Sequence, residues 1–197
     1  MPSDLQVSNI KDLTGSNTGL SIASDGQVTI SQDNPTVTLH ATGDSSSTNT
    51  TFPKGHVLQT ISVNFETETS VTDNSYVIIN SNFKVDITPS STSNKILVMY
   101  TIPAFSDRIN ATYSTTIFRS ISGGTSNTNI GSATHGFGVT VSNAGSVASG
   151  QSAVFLDSPN TTSAVTYQPV HKETSTGVGY ACINSSKATL TCMEIKQ

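Results

Sequence analysis

Asn82-Phe83-Lys84-Val85-Asp86-Ile87-Thr88 alternates polar and apolar residues at every step, and a little further on Ile96-Leu97-Val98-Met99-Tyr100-Thr101-Ile102 is apolar at nearly every position. Side chains of an extended chain point to opposite faces in turn. The first stretch therefore predicts a strand that buries Phe83, Val85 and Ile87 on one side only. The second is far too short to span a membrane and predicts a central strand covered on both faces. Between them, Thr88-Pro89-Ser90-Ser91 supplies a reversal, with Pro fixing φ and Ser bonding to nearby backbone.

The same patterns recur outward from this pair. Residues 57–65 place Val57, Ile61, Val63 and Phe65 on one face, and further strands are predicted at 76–79, 113–119, 153–156, 165–170, 178–183 and 188–195. Pro169 has no N–H to donate, which predicts an edge strand or a bulge at 165–170. About nine short strands with polar turns between them predict an all-β chain, its residues 52–197 forming a jelly-roll-like antiparallel β-sandwich. Asp157-Ser158-Pro159-Asn160 is another turn of this kind. Residues 120–151 are rich in Gly, Ser, Thr and Asn. They predict long exposed loops with one short strand near 137–141, and recognition would sit there.

Residues 1–51 read differently. Short apolar groups at 7–10, 20–22, 28–30 and 37–39 are separated by Thr14-Gly15-Ser16-Asn17, Ser24-Asp25-Gly26 and Gln32-Asp33-Asn34-Pro35. Asp25-Gly26 is a good two-residue hairpin turn. Strands this short bury no core alone, and identical chains around a three-fold axis would supply the missing surface. Residues 41–51, almost wholly Ser, Thr, Gly, Asn and Asp, read as a linker.

Composition agrees with many strands and turns. Of 197 residues, 34% are hydrophobic and only 11% charged, and Ser and Thr fill most of the gap. Thr suits a half-exposed strand. The net charge is −4 and no Lys/Arg cluster occurs, so nothing points to nucleic acid. No segment is apolar for long enough to enter a membrane. The start, Met1-Pro2-Ser3-Asp4, has neither a basic nor an apolar region, so no signal peptide is read there and the product is expected to stay in the cytoplasm of the cell that makes it. The triplets beginning at Asn49, Asn110, Asn160 and Asn184 are then chance matches to a glycosylation signal. Cys182 and Cys192 flank Asn184-Ser185-Ser186-Lys187. A hairpin there would bring them opposite each other and permit a disulfide, whereas a reducing compartment favours two buried thiols.

No catalytic, cofactor-binding or metal-binding constellation is found. Glycine-framed serine, phosphate-loop, dinucleotide and zinc-protease motifs are all absent. His40, His56, His135 and His171 lie far apart in sequence, and none opens a metal-spaced motif. His135 is the member that a trimer axis would bring together as a ring, set against its plainer reading as a loop histidine. Glu66 and Glu68 share a strand face among Thr and Asn, which reads as solvated surface rather than a catalytic pair. The chain is read as no enzyme.

Four stretches carry a resemblance. They are Phe52-Pro53-Lys54-Gly55-His56-Val57-Leu58-Gln59, then Val85-Asp86-Ile87-Thr88-Pro89-Ser90-Ser91-Thr92-Ser93-Asn94-Lys95-Ile96-Leu97-Val98, then Phe155-Leu156-Asp157-Ser158-Pro159-Asn160-Thr161-Thr162-Ser163, and the closing Met193-Glu194-Ile195. In this order they resemble a module of virion fibre proteins of tailed phages, the marine ones above all. Leu5-Gln6-Val7-Ser8-Asn9-Ile10 and Ser24-Asp25-Gly26-Gln27-Val28 resemble the start of such proteins. The resemblance implies a homotrimeric virion appendage, attached to other virion proteins through residues 1–51, with the sandwich exposed. A tail fibre that contacts a host receptor is the leading expectation. A head fibre or capsid-decorating protein is the alternative, and a polysaccharide-degrading enzyme is the least supported. No receptor-contacting residue is carried over.

Overall fold

The computed structural model describes residues 9–11, 18–22, 28–30, 53–124, 126–143, 145–174 and 177–197. His40, the linker at 41–51, the strand expected at 37–39 and the turns expected around residues 15, 25 and 33 lie outside them. The chain divides into two compact units, Met1–Thr50 and Thr51–Gln197.

In the first unit, β1 (Asn9–Lys11), β2 (Thr18–Ile22) and β3 (Val28–Ile30) form an antiparallel meander. Its register sets Ile10 opposite Leu20 and Leu20 opposite Ile30.

The second unit holds twelve strand segments in two antiparallel sheets. The first sheet contains β4 (Val57–Phe65), β5 (Thr69–Val71), β8 (Lys95–Ser106), β12 (Val147–Asp157), β14 (Gly179–Ala181) and β15 (Ala188–Ile195). The second contains β6 (Val77–Ile78), β7 (Val85–Ile87), β9 (Ala111–Ile121), β10 (Thr128–Asn129), β11 (Gly138–Ser142) and β13 (Val165–Glu173). Several segments are two halves of one broken strand. β14 and β15 both run along the same side of β8, one pairing Ala104 to Ser106 and the other Lys95 to Thr101. β4 with β5, β6 with β7, and β10 with β11 behave likewise. Eight strand positions result, in the order β12, β8, β14/β15, β4/β5 in one sheet and β10/β11, β9, β13, β6/β7 in the other. That order is the double Greek key of a jelly roll.

The alternation read at 82–88 is present in space. Phe83, Val85 and Ile87 are fully buried, while Asn82, Lys84, Asp86 and Thr88 are exposed. Ile61, Val63 and Phe65 face the core, but Val57, at the strand end beside a register shift, is exposed. β8 is central, with β12 on one side and β14/β15 on the other. Its inward residues Ile96, Val98, Tyr100 and Ile102 are buried. The expected cover on both faces is corrected: Leu97 and Met99 are half-buried and Thr101 is exposed. Among the described residues of the second unit no layer lies over them, and neighbouring strands shield the outward residues only sideways.

Stacked phenylalanines close the two long edges of the sandwich. Phe65 of β4 lies on Phe83, next to β7, with centroids 5.1 Å apart and planes 14° apart. Phe137, next to β11, lies on Phe155 of β12 at 4.2 Å and 13°. Each pair joins one sheet to the other where the backbone ladders end, and adds to plain area burial.

Three expectations are corrected here. Pro169 is in a central strand, paired with Ile117 of β9 on one side. Its carbonyl accepts from Ile79 N at 3.3 Å, so its N-side, which has no proton, faces the break between β7 and β6. A broken neighbour serves as well as an edge, because no acceptor is left waiting. The segment after Cys182 is no hairpin but a short 3-10 excursion, Ile183–Ser185, and the chain then resumes its direction along β8. Cys182 N donates to Pro103 O and Cys192 sits opposite Val98, which puts the two roughly 17 Å apart along β8. Both are buried free thiols. Glu66 and Glu68 lie beyond the end of β4, not on a strand face. Glu66 is 3.6 Å from Lys187 Nζ and Glu68 Oε2 accepts from Asn184 N at 3.0 Å, so both hold the excursion in place.

In the native protein neither thiol should react with a disulfide reagent on the minute timescale. Burial raises the pKa of both, that of Cys192 to about 12, and a thiol reacts as the thiolate. Two equivalents should react at once in denaturant, and a disulfide found by non-reducing mass analysis would contradict the register above.

Candidate recognition site

The segment 120–151 is not a free loop. β9 runs on to Ile121, β10 and β11 both add to its far edge, and β12 begins at Val147. The short strand expected near 137–141 is β11. The turn between β10 and β11 is pulled onto the sheet: Phe137 N donates to Thr115 O at 2.9 Å, and Ser132 and Gly136 bridge each other. Gly136 has φ +62°, and a Cβ there would stand 2.1 Å from Thr115 O, so only glycine fits. Composition alone suggests mobility here, but Phe137 and these close glycine contacts anchor the segment.

This anchoring builds a cavity of about 360 Å³ on the outer face of the second sheet. Asn74, Ser75 and Tyr76 come from the turn before β6, Phe118 from β9, Lys172 from β13, and Asn127, Asn129 and Ala133 from the β9–β11 connections. Asn129 is spent on the wall. Its Oδ1 accepts from Thr116 Oγ1 at 2.8 Å and Gly131 N at 3.0 Å, and its Nδ2 donates to Ser132 O at 3.3 Å. Asn127 has a left-handed backbone, φ 51°, held by its N donating to Ser120 Oγ at 2.9 Å. Lys172 Nζ donates to Ala133 O at 3.3 Å and stands 4.6 Å from the centre of the Tyr76 ring. Burial pushes the Tyr76 hydroxyl up to about 12, with the Ser114 hydroxyl beside it opposing the shift. At this size, with one cation and two aromatic walls, the cavity suits a single small polar group rather than a large apolar ligand.

Among the described residues the three histidines lie apart. His56 and His135 are exposed in separate turns, and His171 is buried. Among the described residues no cluster of three or more His, Cys, Asp or Glu could hold a metal.

Inside the sandwich lie polar groups that sequence reasoning passed over. Gln151 of β12 accepts from Thr115 Oγ1 at 2.5 Å and donates to Tyr113 O at 3.1 Å and Thr140 Oγ1 at 2.9 Å. Glu173 takes Ser106 Oγ at 3.2 Å and Thr112 N at 2.9 Å. His171 Nδ1 is 3.0 Å from the Tyr113 hydroxyl, ring edge to ring face. Their signal was parity: His171 and Glu173 continue the inward series Val165, Tyr167, Pro169, a place where a charge at a surface strand does not belong.

Burial lowers the His171 pKa from 6.5 to about 4. Between those values the unfolded chain binds a proton that the folded chain does not. Stability is therefore full above pH 6.5 and falls as pH drops towards 4, by up to about 3 kcal/mol. Denaturant titrations at pH 7 and pH 4.5 should show the loss, and a native His171 ring that titrates near 6.5 by NMR would contradict it.

No family model matches the sequence, and no curated protein does either. Among solved structures the chain is similar to one from infectious bursal disease virus, Gx strain, at 8% identity and a TM-score of 0.43, over 71% of this chain and 33% of that one. It is also similar to one from the Gt strain, at 11% identity and a TM-score of 0.32, over 91% of this chain and 47% of that one. The chain spans between a third and a half of the length of these two.

Proposed function

We propose that this protein is a structural component of a virion, a trimeric fibre protein whose exposed jelly roll contributes to attachment and performs no catalysis. The observation that carries this reading is spatial. The four stretches that resemble the phage fibre module lie apart in sequence, yet they meet at one end of the first sheet. Gln59, Ser90, Asn94 and Glu194 come one or two from each of three stretches and hydrogen-bond in one network. The remaining stretch, residues 155–163, pairs alongside, Asp157 opposite Ile96 and Phe155 opposite Val98. Motifs that interlock in this way encode a common scaffold, which supports the resemblance over chance likeness of turn sequences. Jelly rolls serve as shell and lectin-like modules, and fold alone does not choose between such uses.

The attachment reading draws on the cavity, where polar side chains from two connections and from β10 and β13 converge without a nucleophile–base pair. Side-chain contacts of this sort are individually weak, near 1 kcal/mol each, so three copies per fibre acting together would give useful avidity.

Light scattering of the full chain at low micromolar concentration should give a trimer, and a monomer alone would remove the fibre reading. Antibody labelling of intact particles should mark tail fibres. Label confined to the head would replace this reading with the capsid-decorating one.

A further inference from the structure

Lys172 is only 7% exposed and is one of the residues that line the cavity. An ammonium has three protons to donate, and Ala133 O takes one of them. None of the three ion pairs among the described residues includes Lys172. The carboxylate next to it in sequence, Glu173, points into the sandwich, towards Ser106 and Thr112. A cation taken out of water normally has an anion beside it, since leaving it alone is costly. Here the open side of the cavity is where an anion would come from. Asn74, Ser75 and Asn127 line the same cavity and bring amide and hydroxyl donors to it. The Tyr76 ring already faces the ammonium at 4.6 Å, and Phe118 adds flat apolar surface.

We propose that this cavity binds an anionic saccharide. Its carboxylate or phosphate sits on Lys172 Nζ, its ring lies against Phe118, and its hydroxyls meet Asn74, Ser75 and Asn127. The inference deepens the attachment reading and rests on it for the biological source of the ligand, but the site can be tested without it.

The test is calorimetric binding to the full-length protein with three probes: a galacturonate trisaccharide, a neutral galactose trisaccharide and glucose 6-phosphate. At least one acidic probe should bind ten times more tightly than the neutral one, and its affinity should fall with added salt. Which acidic probe binds better identifies a carboxylate or a phosphate as the preferred group. Lys172→Met should weaken acidic binding at least tenfold, and Lys172→Arg should restore part of it. Equal affinity for acidic and neutral probes, or no binding of any, overturns the proposal. So does a Lys172→Met protein that melts earlier yet binds unchanged, because Lys172 would then merely latch Ala133. If Lys172→Met fails to fold, Asn127→Asp serves instead. That position is exposed, Asp tolerates its left-handed backbone, and the added carboxylate should repel the acidic probe at least tenfold while sparing the fold. Particles carrying Asn127→Asp that lose probe binding but adsorb normally would leave the saccharide site standing and overturn the attachment reading.

Discussion

Glu194 is the residue through which β4, the β7–β8 turn and β15 are tied together. It is 1% exposed on β15, and its carboxylate receives Asn94 Nδ2 at 2.7 Å, Gln59 Nε2 at 2.7 Å, Ser90 N at 2.7 Å and Ser90 Oγ at 2.8 Å. Burial by itself raises its pKa, but these donors outweigh burial and the net shift is downward. An acceptor-only group with four donors satisfies the condition under which a buried charge is tolerated. Gln59 also donates to Thr88 O at 2.7 Å. β4, the turn between β7 and β8, and β15 therefore share one node, which supports the register of β4 on β15. The β7–β8 turn has a backbone bond of its own, Asn94 N to Ser91 O at 3.2 Å, and Ser90 and Asn94 are held from outside as well.

Away from that node the interior changes character along the strands. The half nearer Ile96 is filled by Phe83, Val85, Ile87, Val98, Tyr167 and Leu190, all at most 1% exposed. The half nearer Ser106 holds Gln151, Thr115, Tyr113, His171 and Glu173. Such an interior is stable only while each polar group keeps its partner, since a lost partner costs more than the bond is worth net. Arg119 and Asp157 clamp the two sheets on the first half, at 2.8 Å, with the Tyr167 hydroxyl donating to the same carboxylate at 2.7 Å. In the polar half the buried His171 ring, its pKa lowered by burial, faces the Tyr113 hydroxyl at 3.0 Å. The two halves thus respond to different conditions: acid reaches the polar half first, through His171.

The cavity depends on both features. Sheet residues Phe118 and Lys172 are rigid because β9 and β13 are paired along nearly their whole length. The β10–β11 turn is held because Phe137 is locked into the edge stack and Asn129 is bonded on three sides. Binding groups on such a frame are pre-positioned, which reduces the entropy lost on association.

Some of this was legible in the residues themselves. The strands at 57–65, 85–87 and 188–195, the polar turns between them and the all-β class follow from period-two alternation, because one face must be buried and the other wet. The pairing of those strands was not legible. Nothing local distinguishes a hairpin at 184–187 from an excursion that leaves the chain running on along β8, and only the competition for β8's edge decides it. Pro169 shows the same limit, since its missing donor is harmless wherever the neighbour breaks, and the break lies some ninety residues earlier in the chain. The site was hidden for a related reason. Asn74, Phe118, Asn127 and Lys172 are unremarkable surface residues in sequence, and they become a cavity only because sheet order brings the turn before β6 beside the β9–β11 connections. Alternation is a property of neighbours in the chain and can be read there, whereas which strand lies beside which depends on burying all the faces at once, and that is decided only by the folded chain.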